Sequence, residues 1–470
     1  MTELIGLPAV QLAELVRRGE ISPVEIVEAH LESAARVQAK LNCFASLDEA
    51  GARTQARALE AAIQRREQPG PLAGVPLTIK SSVFVAGWKC ETGSALRRNY
   101  VSREDAPLVC RLKGAGAILI GNTNVPEFLM AYESRNTLYG AVSNPWDVSY
   151  SAGGSSGGEA ASIASGCSAG GVGSDGGGSI RVPAHFCGIC GLKPTPGRIP
   201  ITGHFPEGVG AFAWLGVVGP MARTVADLRA LFEVMAGTDA GDARSAPVPL
   251  RQKRHAGMRS IRIGVLESDA LGAVTPETRS AVEQAARGLA DHGFAVEHLR
   301  LTGLDRAIEL WWFFFGRSIA HLLRGSTLGH EKELSPMLRE YLEVTGQESA
   351  LKLDDFLAAC AERDVLRGDI LRAMDATPIL LSAVSAGPAF RHGEGTWHPG
   401  TAASYREVMR HSQWLNLTGF PGATVPVSSS AEGMPIGVQV IGRPYEEELV
   451  LDVAEQIEES CGGWRRPPVL

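Results

Sequence analysis

The 470-residue sequence has no window of eighteen uninterrupted apolar residues, the length at which a membrane-spanning helix becomes a candidate. Its nearest approach, residues 308–323 (IELWWFFFGRSIAHLL), is broken by Glu309, Arg317 and His321. The start, MTELIGLPAV, lacks a basic region followed by an apolar one, so no secretory signal is expected and a cytoplasmic location is. An excess of positive charge is also missing. Lys and Arg total 45 against 52 Asp and Glu, and the net charge of −7 argues against nucleic acid as the main partner. The eight cysteines are scattered, which suits a reducing compartment better than a disulfide framework. Cys187 and Cys190 form one CxxC with no second CxxC or HxxxH, so no metal is expected there, only buried thiols. None of the eleven histidines pairs with an aspartate in a recognisable nucleophile elbow, and His185 reads as structural.

What the chain has instead is glycine, concentrated with serine between residues 151 and 195 (SAGGSSGGEAASIASGCSAGGVGSDGGGSIRVPAHFCGICGLKPT). Such a composition is often a flexible linker. Here it is interleaved with Ala160, Ile163, Val172, Ile180 and Val182, which a solvated linker would not carry. Two serines, Ser155 and Ser179, are flanked by glycine. The run Gly176-Gly177-Gly178-Ser179 leads into a stretch that reads as a helix. Unpaired amides at a glycine turn and helix start can hold a developing oxyanion, which puts Ser179 where a nucleophile belongs.

GGSSGG at 153–158 followed by GSDGGGSIRVPA at 173–184 resembles the amidase signature family of serine hydrolases. PLAGVPLTIKSSVFVAG at 71–87 is similar to that family around its lysine, and GNTNVPEF, NPWD, GPMARTVAD and GFPGATVPV…GMPIGVQVIG follow in order. The resemblance implies an amidohydrolase for linear carboxamides, with anilides, esters and carbamates open to the same acyl-enzyme chemistry. It implies Lys80 as base, Ser155 as relay behind a cis peptide bond, and Ser179 as nucleophile. Gly176, Gly177, Gly178 and Ser179 would supply oxyanion amides. Ser156, Asp175 and Arg181 would brace the site, the last two as a buried pair. Leu129, Met130 and Ala131 become candidate acyl-pocket residues, with core packing as the other reading. It implies no cofactor and no metal. The expected partner is a small-molecule amide, with neither nucleic acid nor membrane, acting on a monomer or homodimer. The alternative is the amidase subunit of a glutamine-dependent aminoacyl-tRNA amidotransferase, which passes ammonia to a partner. Lys80 can serve as a base only when neutral. Its reference pKa is about 10.4, so burial beside the apolar run 75–79 must lower it.

The implied fold is α/β, an amidase signature fold with a central mixed β-sheet covered by helices on both faces. The whole chain, 1–470, reads as a single domain with a helical scaffold over 1–66, where Ser22-Pro23-Val24-Glu25 is a capping box. A signature core spans 71–230 and a polar connector 238–258. Strands at 261–266 and 295–301 flank a helix at about 275–292, and helices separating strands predict a mostly parallel or mixed sheet. Residues 305–375 form a variable helical region whose WWFFF run is open as lid, pocket wall, membrane patch or dimer surface; no basic face accompanies it, which argues against membrane. Residues 376–470 complete the sheet. Ala383 stands where the family usually has a proline, a departure that bears on the pocket.

Overall fold

The computed structural model describes residues 3–251, 257–267, 271–393 and 409–468. Part of the connector, 252–256, lies outside the described residues. The strands are β1 (Phe44–Leu47), β2 (Pro76–Lys80), β3 (Ile118–Thr123), β4 (Arg135–Asn136), β5 (Gly140–Ala141), β6 (Gly170–Asp175) and β7 (Cys190–Lys193). They continue with β8 (Val217–Ala222), β9 (Arg262–Leu266), β10 (Ala295–Leu299), β11 (Ile379–Ala383), β12 (Gly422–Ser429) and β13 (Pro435–Gly442). Eleven of them form one sheet in the order β1-β3-β2-β6-β8-β7-β12-β13-β11-β9-β10, and β4 and β5 pair separately.

The sheet is mixed. β3, β2 and β6 run parallel, as do β11, β9 and β10, while the pairs between them are antiparallel. β2, β3, β6, β8, β11 and β13 are buried at every position, as strands covered on both faces must be. One apolar core packs around β2, β6 and β8 and carries the helix Val225–Met235, with Thr224 as its N-cap, and the helices Pro276–Asp291 and Glu447–Cys461. The scaffold helix Pro23–Leu41 starts on the expected capping box at Ser22 and Glu25.

A second apolar core lies over the sheet's other end, where Leu304–Trp311 and the helices after it pack against Arg410–Thr418. The aromatic run does not continue as an α-helix. Residues 312–318, which hold four of the five consecutive aromatics, wind as a π-helix, a wider turn than the α-helix. Trp311, Trp312 and Phe314 are buried, so the run faces inward. Among the described residues no helix is long and apolar enough to cross a membrane.

Candidate active site

Two parallel interior strands end side by side and bring polar residues together at their carboxyl ends. β2 delivers Lys80 at its last position, and its neighbour β6 delivers Ser174 and Asp175 at its own. Such carboxyl ends of parallel strands are where α/β folds place ligands. Beyond β6 the chain turns through Gly176–Gly178 into Ser179 and the helix Arg181–Cys187. Gly178 has φ +122°, a backbone that side chains other than glycine's avoid. Ser155 and Ser156 sit just before the helix Gly157–Ala164, and the Gly154–Ser155 peptide bond is cis.

Lys80 is wholly buried, and its Nζ lies 2.7 Å from Ser155 Oγ, 2.8 Å from Ser156 Oγ and 3.2 Å from the Ser174 carbonyl. Burial pushes its pKa down to about 7, against the opposing charges of Asp175 and Glu159. The neutral amine has two N–H bonds and one lone pair. The Ser174 carbonyl can only accept. Ser156 Oγ lies 3.3 Å from both the Ser174 N–H and the Ser174 carbonyl, which occupies its own proton in a bond to that carbonyl. Two N–H bonds thus go to Ser174 and Ser156, and the lone pair is left for the Ser155 hydroxyl to donate into. Behind the lysine, Thr78 and Thr123 donate to the buried Glu159 carboxyl, whose pKa burial raises to about 8.

Asp175 and Arg181, both wholly buried, pair at 3.1 Å. Burial alone would raise the Asp175 pKa, but the Arg181 guanidinium and the Asn416 amide hold it well below the carboxylate range. Arg181 also donates to Gln439, Asn416 and the Ser412 carbonyl. Asp175 takes the N–H of Gly178 at 2.7 Å and that of Ile180 at 3.1 Å. This corrects one expectation: the Gly178 amide is spent on Asp175 and is not available to an oxyanion. Among the described residues the amides of Gly176, Gly177 and Ser179 have no such acceptor.

Ser155 and Ser179 open onto one small cavity with Phe128, Leu129, Met130 and Phe315. A second cavity that also reaches Ser179 adds Ala131, Tyr132 and Trp311. Leu129, Met130 and Ala131 therefore all line space beside Ser179, and Phe315 makes the 305–375 region a pocket wall. The sequence reading missed several residues. Tyr132 and Trp311 donate to the carbonyls of Gly177 and Gly176, each at 2.9 Å. His204 also lines the cavity; its Nδ1–H donates to the Pro206 carbonyl at 2.8 Å, so Nε2 accepts from Ser82 at 3.1 Å. Burial lowers its pKa to about 3. Only Glu159, a lone charge in a small-residue run, carried a signal in the sequence.

The remaining singled-out residues do other work. His185 Nε2–H donates to the Gly387 carbonyl while Nδ1 accepts from the Gly437 amide. The thiols of Cys187 and Cys190 point at different carbonyls, those of Ala152 and Arg223. Among the described residues no group of three or more His, Cys, Asp and Glu could hold a metal ion.

The model of the family described as Amidase matches residues 25–451. A glutamyl-tRNA(Gln) amidotransferase subunit of Roseiflexus castenholzii is 34% identical over 496 residues, covering 100% of this chain and 98% of that protein. The solved structure of 6-aminohexanoate cyclic dimer hydrolase superposes with a TM-score of 0.86 at 29% identity, covering 99% of both chains. Fatty acid amide hydrolase shares the fold, with a TM-score of 0.85 at 24% identity, covering 98% of this chain and 86% of its own. The name of the Roseiflexus protein designates a tRNA and one member of an assembly. It overturns the expectation of a lone monomer or homodimer on a small-molecule amide with no nucleic acid. The net charge misled there, because it describes one chain and says nothing of what other chains would bind.

Proposed function

The chain belongs to the amidase family, and from that premise we propose that it cleaves a carboxamide C–N bond through an acyl-enzyme on Ser179. The observation that carries this is the wholly buried Lys80 Nζ 2.7 Å from the Oγ of Ser155, which shares a cavity with Ser179. Ser179 Oγ attacks the carbonyl carbon as its proton passes to Ser155 and the Ser155 proton passes to Lys80. The amides of Gly177 and Ser179 stabilise the oxyanion. Lys80 returns a proton through Ser155 to the departing nitrogen, the C–N bond breaks, and water releases the acyl group by the same relay. Similarity along the full length of the Roseiflexus protein supports a further step: this is the amidase subunit of a glutamine-dependent amidotransferase, passing ammonia to a partner.

One observation favours a second reading, a carboxamide with an apolar acyl part. Phe128, Leu129, Met130, Phe212 and Phe315 wall the cavity, and its carboxylate, Asp175, is held by Arg181. Glutamine would bring an ammonium and a carboxylate into that wall, which is costly without counter-charges. Ammonia release separates the two. The chain would be assayed with glutamine and with a panel of primary aryl carboxamides (Ar–CO–NH2), alone and with the product of any adjacent partner gene, with Ser179→Ala as blank. Glutamine turnover that rises with the partner supports the amidotransferase, and aryl-amide turnover by the chain alone supports the second reading. Ammonia from neither, in folded protein, would overturn both.

A further inference from the structure

The glycine turn is held from above by two aromatic side chains that come from outside it. Trp311 closes the helix Leu304–Trp311, and its indole N–H donates to the Gly176 carbonyl at 2.9 Å. Tyr132 follows β3 by nine residues, and its hydroxyl donates to the Gly177 carbonyl at 2.9 Å while accepting from the Gln413 amide at 3.1 Å. Trp311 is itself fixed, stacked on Phe315 with ring centroids 4.6 Å apart and planes 13° from parallel. The contact is close enough to demand glycine beneath it. A Cβ on Gly177 would lie 2.5 Å from the Trp311 ring and 3.0 Å from the Tyr132 hydroxyl.

A trans peptide is planar, with its C=O and N–H pointing in opposite directions. Holding the Gly177 carbonyl therefore turns the Gly178 N–H away from Tyr132, and that N–H lands on Asp175. By the same rule, holding the Gly176 carbonyl turns the Gly177 N–H away from Trp311. Among the described residues that amide has no acceptor. The two planes are thus set by different donors, one amide going to structure and the other left for a ligand.

We propose that Trp311 is a positioning residue for the oxyanion site, its indole N–H holding the Gly176 carbonyl so that the Gly177 amide faces the carbonyl under attack at Ser179. The inference rests on Ser179 being the nucleophile. It adds a residue from the variable helical region to an oxyanion turn that lies within the glycine- and serine-rich stretch, and it gives the aromatic wall a part in the rate as well as in the fit.

The test is the kinetics of phosphonylation by a fluorophosphonate, read by intact mass. In that reaction Ser179 Oγ bonds to phosphorus, fluoride leaves, the Ser179 proton enters the relay, and the phosphoryl oxygen gains the charge that the amides must meet. Trp311→Phe keeps an aromatic ring and removes the N–H. Benzothienylalanine at position 311, an isostere of tryptophan without the N–H, guards against a folding defect. Losing a direct oxyanion donor costs about 10²–10³ in rate, and losing its alignment is expected to cost about 10-fold to 100-fold. Both variants should lower the limiting inactivation rate by that factor and leave the half-saturating probe concentration within about twofold. A raised half-saturating concentration with an unchanged limiting rate would make Trp311 a pocket wall only, and unchanged kinetics would remove it from the site; either result overturns the proposal while leaving Ser179 in place. A folded wild-type protein with no adduct on Ser179 would instead take the nucleophile reading down, and this inference with it.

Discussion

The two sides of the cavity are built by opposite means. On one side the turn from Ser174 to Arg181 is short, nearly all small residues, and held by hydrogen bonds: Lys80 to two serines, and Asp175 to four partners. On the other side the wall from residue 304 to 345 is held by packing, with Trp311 on Phe315, Phe212 near Phe315, and Trp312 edge-on to Tyr341. Hydrogen bonds fix direction, which proton transfer requires. Apolar contacts fix volume, which selects an acyl group and tolerates exchange of one side chain for another of similar size. The wall also leaves Leu322 and Leu328 exposed, whereas the turn is buried at every position but Gly176.

That contrast sets the order of expected effects. Ser179→Ala should abolish turnover, by about 10⁴-fold or more, with the thermal unfolding curve unchanged. Lys80→Ala should cost about 10²–10⁴-fold in the same assay, since it removes the base and leaves the nucleophile. Arg181→Met should act on stability instead. It strands the Asp175 charge in the core, a loss of about 3–5 kcal/mol that denaturant unfolding would read directly. On the wall, Phe315→Ala should change KM and the preferred acyl size by roughly tenfold, the worth of about 1–2 kcal/mol of apolar contact, with a smaller change in kcat. A wall variant that abolished turnover as Ser179→Ala does would erase the distinction between the two sides.

The two sides also differed in how far the sequence revealed them. Ser155 and Ser179 stand out because a serine beside glycine is a local feature, whereas Lys80 was singled out by the family resemblance around it. The capping box at Ser22 and the strand–helix–strand run from Ile261 were legible as local features too. The strands β6, β8 and β12 were harder, since glycine- and proline-containing runs such as GGVGSD carry no clear period. Tyr132 and His204 were invisible as site residues, and Trp311 stood only in a run left open as lid, pocket wall or surface. They reach the cavity only once the sheet brings positions some 45 to 135 residues apart together, and an aromatic in a helix looks the same whether it fills a core or aims an N–H. The Gly178 amide shows the converse limit: three glycines in a row look equivalent, and only the carboxylate of Asp175 tells one from the next.

The central claim is that Lys80, buried and neutral, draws the proton from Ser179 through Ser155, and the pH dependence of Ser179 phosphonylation tests it most directly. With the lysine pKa lowered to about 7, the base is protonated and idle below that value and free above it. The rate of adduct formation should therefore climb about tenfold per pH unit below 7 and level off on the alkaline side, and in Lys80→Ala the inflection should vanish. A rate that is flat from pH 5 to 9, or one that peaks near pH 5, would contradict the account.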